Sequence, residues 1–152
     1  MRDDIIYFEF KTFDEMYHWL LENAKKEKEL FVKISRQKPE NCVDILSYYD
    51  AVKAALCFGW IDSTLKNVDG NLIQRFSPRK KNSHWTETNI QRCIELDKQG
   101  LMTQEGKNRL LNVLFARTEE KFGDYFYLTR YSRTPMGLRP YLVSFNDFKK
   151  NL

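Results

Sequence analysis

A chain of 152 residues with 42% apolar, 30% charged and 14% aromatic content has room for one domain with a buried core, and this composition excludes disordered and fibrous classes. Its net charge of +4 gives a weak bias toward polyanions, well short of the concentrated basic face of a dedicated nucleic-acid binder. Cys42, Cys57 and Cys93 are an odd and scattered set, and His18 and His84 lie far from one another. This spacing excludes a disulfide framework, leaves no ligand pattern for structural zinc, and implies reduced thiols.

The charged start Met1-Arg2-Asp3-Asp4 leads into an apolar run, Ile5–Phe8, that is too short for a signal-peptide core. No run approaches the roughly 18 apolar residues of a membrane span, so a cytoplasmic protein is expected. Ile5–Phe10 is β-branched and aromatic and predicts a first strand. Thr12 or Asp14 then caps a helix over 13–25, with Phe13, Met16, Tyr17, Leu20 and Leu21 at helical spacing and Lys25-Lys26 at its C-terminal end. Leu30–Ile34 predicts a strand, and residues 36–46, holding Pro39 and Asn41, a loop.

Ser47 is placed as the N-cap of a helix over 48–57, with Asp50 three residues on. Tyr49, Val52, Ala55 and Leu56 form its expected buried side, and Gly59 suits a left-handed terminator. Trp60–Lys66 alternates as a strand, Asp69-Gly70-Asn71 signals a tight hairpin turn, and Leu72–Ser77 makes the return strand that Pro78 ends. Thr86 caps a helix over 87–99 with Ile90, Cys93, Ile94 and Leu96 inward, and Gly100 closes it. Thr103 caps another, with Leu110, Leu111, Val113, Leu114 and Phe115 on its apolar face. In the last third, Tyr125–Tyr131 and Tyr141–Val143 read as strands about a turn at Thr134–Gly137, followed by a short helix capped by Ser144 or Asn146.

The densest chemistry lies in residues 55–89. Ala55-Leu56-Cys57-Phe58-Gly59-Trp60-Ile61-Asp62-Ser63 is followed by Gln74-Arg75-Phe76-Ser77-Pro78-Arg79-Lys80. Next come Asn82-Ser83-His84-Trp85-Thr86-Glu87-Thr88-Asn89 and Gly100-Leu101-Met102-Thr103-Gln104-Glu105-Gly106. In content and order this series resembles the blocks of the YdeI/OmpD-associated, or bacteriocin-protection, family. The resemblance covers about residues 8–110, and residues 117–152 form a divergent extension unlike that family's Ala-rich tail. It implies a cellular association with resistance to peptide antibiotics and envelope stress. It implies no reaction.

Read as chemistry, Arg75, Arg79, Lys80 and Lys81 lie between or beside Phe76 and Trp85, with no acidic residue from Ile73 to Thr86. Cations beside aromatics suit an anionic ligand, a phosphate backbone or stacked bases, and the helix after Thr86 adds positive potential. Alternation puts Trp60, Asp62 and Thr64 on one face of their strand and Ile61, Ser63 and Leu65 on the other, with Gln74 and Phe76 opposite in sense to Arg75 and Ser77. Asp62 is expected to pair with Arg75 or Arg79. Cys57, at a helix end between Leu56 and Phe58, reads as a small buried hydrophobe rather than a nucleophile. The Tyr/Phe-rich tail suits either an extra core hairpin or an interface.

The expected fold is α+β: a small antiparallel sheet with a central hairpin at about 60–77 and helices largely on one face, in a single domain spanning 1–152. The expected function is a non-enzymatic binding or stress-protection protein needing no cofactor or metal. Its anionic-ligand or partner site is expected at Trp60, Asp62, Arg75, Arg79, Ser83, Trp85 and Asn89. The alternatives are a weak nucleic-acid-binding module and an enzyme on an anionic small molecule, with Asp62 or His84 as acid/base.

Overall fold

The computed structural model describes residues 5–80, 83–116, 125–130 and 139–144, and divides into two units, Met1–Lys80 and Lys81–Leu152. Helices and a four-stranded mixed sheet make the fold α+β.

The first unit opens with an extended segment in which only Phe8 pairs, bridging Val32 in parallel sense. The expected first strand therefore shrinks to one ladder position. Helix α1 (Phe13–Asn23) follows; the Thr12 hydroxyl accepts from Glu15 N–H at 3.2 Å and the Glu15 carboxylate accepts from Lys11 N–H at 3.0 Å. Such a cap contributes on the order of 1 kcal/mol. Met16 and Leu20 are buried on its inner stripe, whereas Leu21, expected to join them, is exposed, and the helix stops before Lys25-Lys26.

Strand β1 (Leu30–Ser35) alternates cleanly, with Leu30, Val32 and Ile34 buried. The expected loop contains a 3-10 turn at Pro39–Asn41 and a two-residue strand, β2 (Leu46–Ser47), parallel to β1. Ser47 caps α2 (Tyr48–Leu56), its hydroxyl accepting from Asp50 N–H at 3.0 Å. Ala51, Val52, Ala54, Ala55 and Leu56 are buried; Tyr49, expected among them, is exposed. Gly59, at φ 76°, takes the left-handed conformation that turns the chain out of the helix.

The hairpin comprises β3 (Trp60–Val68) and β4 (Asn71–Pro78), joined at Asp69 (φ 53°) and Gly70 (φ 87°). Two positive φ values define the I′ turn, whose twist matches that of the strands. The sheet order is β2-β1-β4-β3. The hairpin thus lies at one side, with β3 as the edge, and the ladders are antiparallel except for β1–β2. Cross-strand partners share a face. Leu30–Phe76, Val32–Gln74 and Ile34–Leu72 therefore mark one face and Phe31–Arg75 and Lys33–Ile73 the other. The first is the face toward α2, because Tyr48 of that helix bonds Asp62, the partner of Phe76.

Between Asp62 and Leu65 the β3 register shifts: three steps on β3 match two on β4, from Phe76 to Gln74. This bulge overturns strict alternation. Asp62 and Leu65 both fall on the α2 face, although alternation assigns them to opposite faces.

In the second unit, Thr86 caps α3 (Glu87–Lys98) by accepting from Asn89 N–H at 3.2 Å, with Ile90, Cys93, Ile94 and Leu96 buried as expected and Asp97 buried beside them. Gly100 (φ 75°) terminates it. Thr103 caps α4 (Gln104–Ala116), and Leu110 and Leu111 are buried on its apolar face. Strands β5 (Tyr125–Arg130) and β6 (Arg139–Ser144) form an antiparallel pair. The expected turn at Thr134–Gly137, the helix after Ser144 or Asn146, and the side chains of Leu114 and Phe115 lie outside the described residues.

Candidate functional site

Trp60, Asp62, Arg75 and Arg79 belong to the first unit, and Ser83, Trp85 and Asn89 to the second. In the first unit the expected cluster separates. Trp60 is 2% exposed and is a core residue of the α2 face. Arg79 is 3% exposed, and its backbone N–H donates to Gly59 O at 2.9 Å, fastening the end of the hairpin to the turn before it. It is no part of an open basic turn.

Asp62 is half-buried, and its Oδ2 accepts from the Tyr48 hydroxyl at 2.8 Å. The guanidinium of Arg36 lies 6.0 Å from the Tyr48 ring centroid, close enough for cation–π attraction. Asp62 does not pair with Arg75, because the two stand on opposite faces of the sheet. The bulge is the physical reason. Counting back from the pair Val68–Asn71 with no interruption puts Asp62 opposite Ser77, on the face of Arg75; the extra residue moves it opposite Phe76. Gln74, 2% exposed, answers the bulge by donating from Nε2 to Thr64 O at 3.2 Å.

The same bulge brings Ser63 beside Arg75. Arg75 Nη1 donates to Ser63 Oγ at 3.1 Å and to Ser77 Oγ at 3.4 Å, while Nε donates to the Glu29 carboxylate at 3.0 Å. Ser63 Oγ also donates to Arg75 O at 3.4 Å. The Arg75 side chain is 32% exposed and that of Glu29 55% exposed. Among the described residues nothing bonds Nη2. The result is a half-open guanidinium, steadied by the hydroxyls of Ser63 on the neighbouring strand β3 and Ser77 on its own strand, with one exposed carboxylate on its Nε. Nearby on this face, Lys33 pairs with Glu9 at 3.2 Å.

In the second unit, Trp85 is buried at 6% exposure, Ser83 is half-buried and His84 exposed. The backbone N–H of Asn89 is bound by the Thr86 cap, and its Oδ1 accepts from Arg92 Nη1 at 2.9 Å. Asn89 thus takes part in the local order of the first turn of α3.

Tyr48 and Glu29 escaped sequence reasoning. Tyr48 reads only as a first helical residue, and Glu29 as one charge in the run Lys25–Glu29. Among the described residues no group of three or more His, Cys, Asp or Glu is placed to hold a metal ion, and no helix is long and apolar enough to cross a membrane.

Comparison with known proteins adds one match. No curated protein and no solved structure matches the chain. A family model described as a domain of unknown function, DUF8412, matches residues 8–109, from the Phe8 bridge into α4 and across every candidate residue named above. With the match spanning well over half of the sequence, the chain belongs to the DUF8412 family.

Proposed function

We propose that this protein is a non-enzymatic binding protein that takes up an anionic group, a carboxylate or phosphate on a small molecule or a partner, at Arg75 on the face of the sheet away from α2. One observation carries the reading. The Arg75 guanidinium is half-exposed and oriented by Ser63 and Ser77, it already holds the Glu29 carboxylate on Nε, and its Nη2 is unengaged among the described residues. The Nε–Nη2 edge is the one a carboxylate or phosphate takes with two parallel hydrogen bonds. The serine hydroxyls limit the guanidinium's freedom, which lowers the ordering cost of binding. Bulges often stand beside sites because they re-aim a side chain, and this one brings in Ser63. The cellular role we attach to the site is the one implied by the likeness to YdeI/OmpD-associated proteins, protection under envelope or peptide-antibiotic stress.

The test is a thermal-stability screen against inorganic phosphate, di- and tricarboxylates, nucleotides and short oligonucleotides, using wild type and Arg75→Ala. A ligand present at about 100 times its dissociation constant adds roughly 2.7 kcal/mol to the native state. Stabilisation of the wild type alone by one anion class is the expected outcome. Equal shifts in both proteins, or none in either, refute the assignment to Arg75.

A further inference from the structure

We infer that the segment Ile5–Glu9 is a self-complementary strand edge through which two copies of this chain pair. Phe8 N–H donates to Phe31 O at 2.8 Å, and Phe8 O accepts from Lys33 N–H at 2.9 Å. Both polar groups of Phe8 therefore face β1. In an extended chain successive residues direct their N–H and C=O to opposite sides, so those of Tyr7 and Glu9 face away from the sheet. Among the described residues no backbone bond engages them. Among the described residues the sheet thus ends here in outward-facing donors and acceptors, the template onto which another strand adds.

The side chains say which strand. Ile6 is 83% exposed and Phe8 36% exposed, two neighbouring positions on one side of the same extended segment among the large apolar groups that stand exposed in the described residues. Phe8 stacks on Phe10 at a centroid distance of 5.3 Å and tilts against Trp19 of α1 at the same distance, so the even-numbered residues form an apolar ledge on the helix side. An antiparallel pair of identical segments about a two-fold axis at Tyr7 places Tyr7 opposite Tyr7 in a hydrogen-bonded pair. The same register places Ile6 of each copy opposite Phe8 of the other. The two exposed apolar residues then cover one another, an aromatic–β-branched pair of the kind that stabilises sheets. Only this register centres the outward-facing groups and matches those side chains together. A two-fold contact of this sort is isologous and closes at the dimer. The shared edge is short, so the association is weak.

Sedimentation-velocity runs on the full chain across a concentration series test the pairing. The variants are Tyr7→Pro, which removes the outward N–H while leaving the bonds of Phe8 to β1, and Ile6→Lys, which sets a charge against Phe8. The expected result is reversible dimerisation of the wild type, weakened at least about tenfold by Tyr7→Pro, which deletes a symmetric pair of hydrogen bonds, and also by Ile6→Lys. Far-ultraviolet circular dichroism and melting temperature serve as the folding check, and Tyr49→Lys, an exposed aromatic elsewhere, as the surface control. A wild type that stays monomeric at about millimolar concentration, or a dimer indifferent to both variants in folded protein, overturns the proposal. A dimer weakened equally by Tyr49→Lys moves the interface off this edge and overturns it as well.

Discussion

The two faces of the β2-β1-β4-β3 sheet carry different kinds of residue. Toward α2 stand Leu30, Val32, Ile34, Trp60, Phe76 and the hydrogen-bonded Gln74, buried and mutually packed. On the other face, beside the fully buried Ile73, stand Lys33 and Arg75, half-exposed and held by Glu9 and Glu29, with the hydroxyls of Ser63 on β3 and Ser77 on β4 at Arg75. The first face holds groups whose removal leaves cavities. The second holds charged pairs, which contribute little to stability in water and can change partner at small cost. Apart from the fully buried Ile73, stability belongs to the first face and exchangeable chemistry to the second. Arg75, half-exposed on β4, and Arg79, buried just beyond its end, differ in the same way within five residues of sequence.

That contrast is open to direct attack. The largest expected effect is at Trp60: Trp60→Ala should cost about 3–5 kcal/mol in urea unfolding, because a large buried side chain leaves a cavity that neighbours fill only partly. A cost below about 1 kcal/mol would remove Trp60 from the core. The two arginines come next. Arg79→Ala should cost about 2–4 kcal/mol through lost packing of a buried side chain, while Arg75→Ala should stay within about 1 kcal/mol of wild type. Equal costs would erase the difference between them.

A smaller effect is expected at Tyr48 and Asp62. In a double-mutant cycle of Tyr48→Phe and Asp62→Asn, the coupling energy should be about 1–2 kcal/mol, the value of a half-buried hydrogen bond to a carboxylate. Additive behaviour would show that the bond contributes nothing measurable. The smallest concerns pH. Burial, and secondarily the neighbouring Cys57, raises the Tyr17 pKa above its ordinary value of 10.0. The unfolded chain therefore ionises Tyr17 first. Its contribution is intact below pH 10 and is lost as pH rises through the folded-state value. Tyr17→Phe should flatten the alkaline limb of the stability–pH curve and leave the neutral region unchanged; an unaltered alkaline limb would assign that loss to other groups.

Most elements were readable from sequence because local signals agreed with tertiary demand. Thr12, Ser47, Thr86 and Thr103 each supply the cap that their position suggests, and Asp69-Gly70 makes the turn its residues favour. The strand expected at Ile5–Phe10 had the right composition but found one ladder position, since β2 takes the next place along β1 at Ile34. The site was far less legible. Its residue types were visible, but one extra residue in β3 reassigns Asp62 and Ser63, and a bulge without Gly or Pro leaves no local mark in Asp62-Ser63-Thr64-Leu65. The burial of Arg79 was equally hidden, since a run of basic residues beside a proline reads as a solvated turn whether or not one member folds inward. Glu29 finds Arg75 across 46 positions of sequence, a separation at which local pattern carries no information.

Under the proposed function the Arg75 guanidinium exchanges the Glu29 carboxylate for an external anion. Two-dimensional NMR of the arginine Nε–Hε groups during titration with phosphate and then citrate observes that exchange at the atom concerned, with Arg75→Lys used to assign the resonance. A saturable shift of the Arg75 signal, with the Arg79 signal unmoved, is the predicted result. An Arg75 resonance that stays fixed throughout, or that moves no more than those of Arg92 and Arg109, would contradict it.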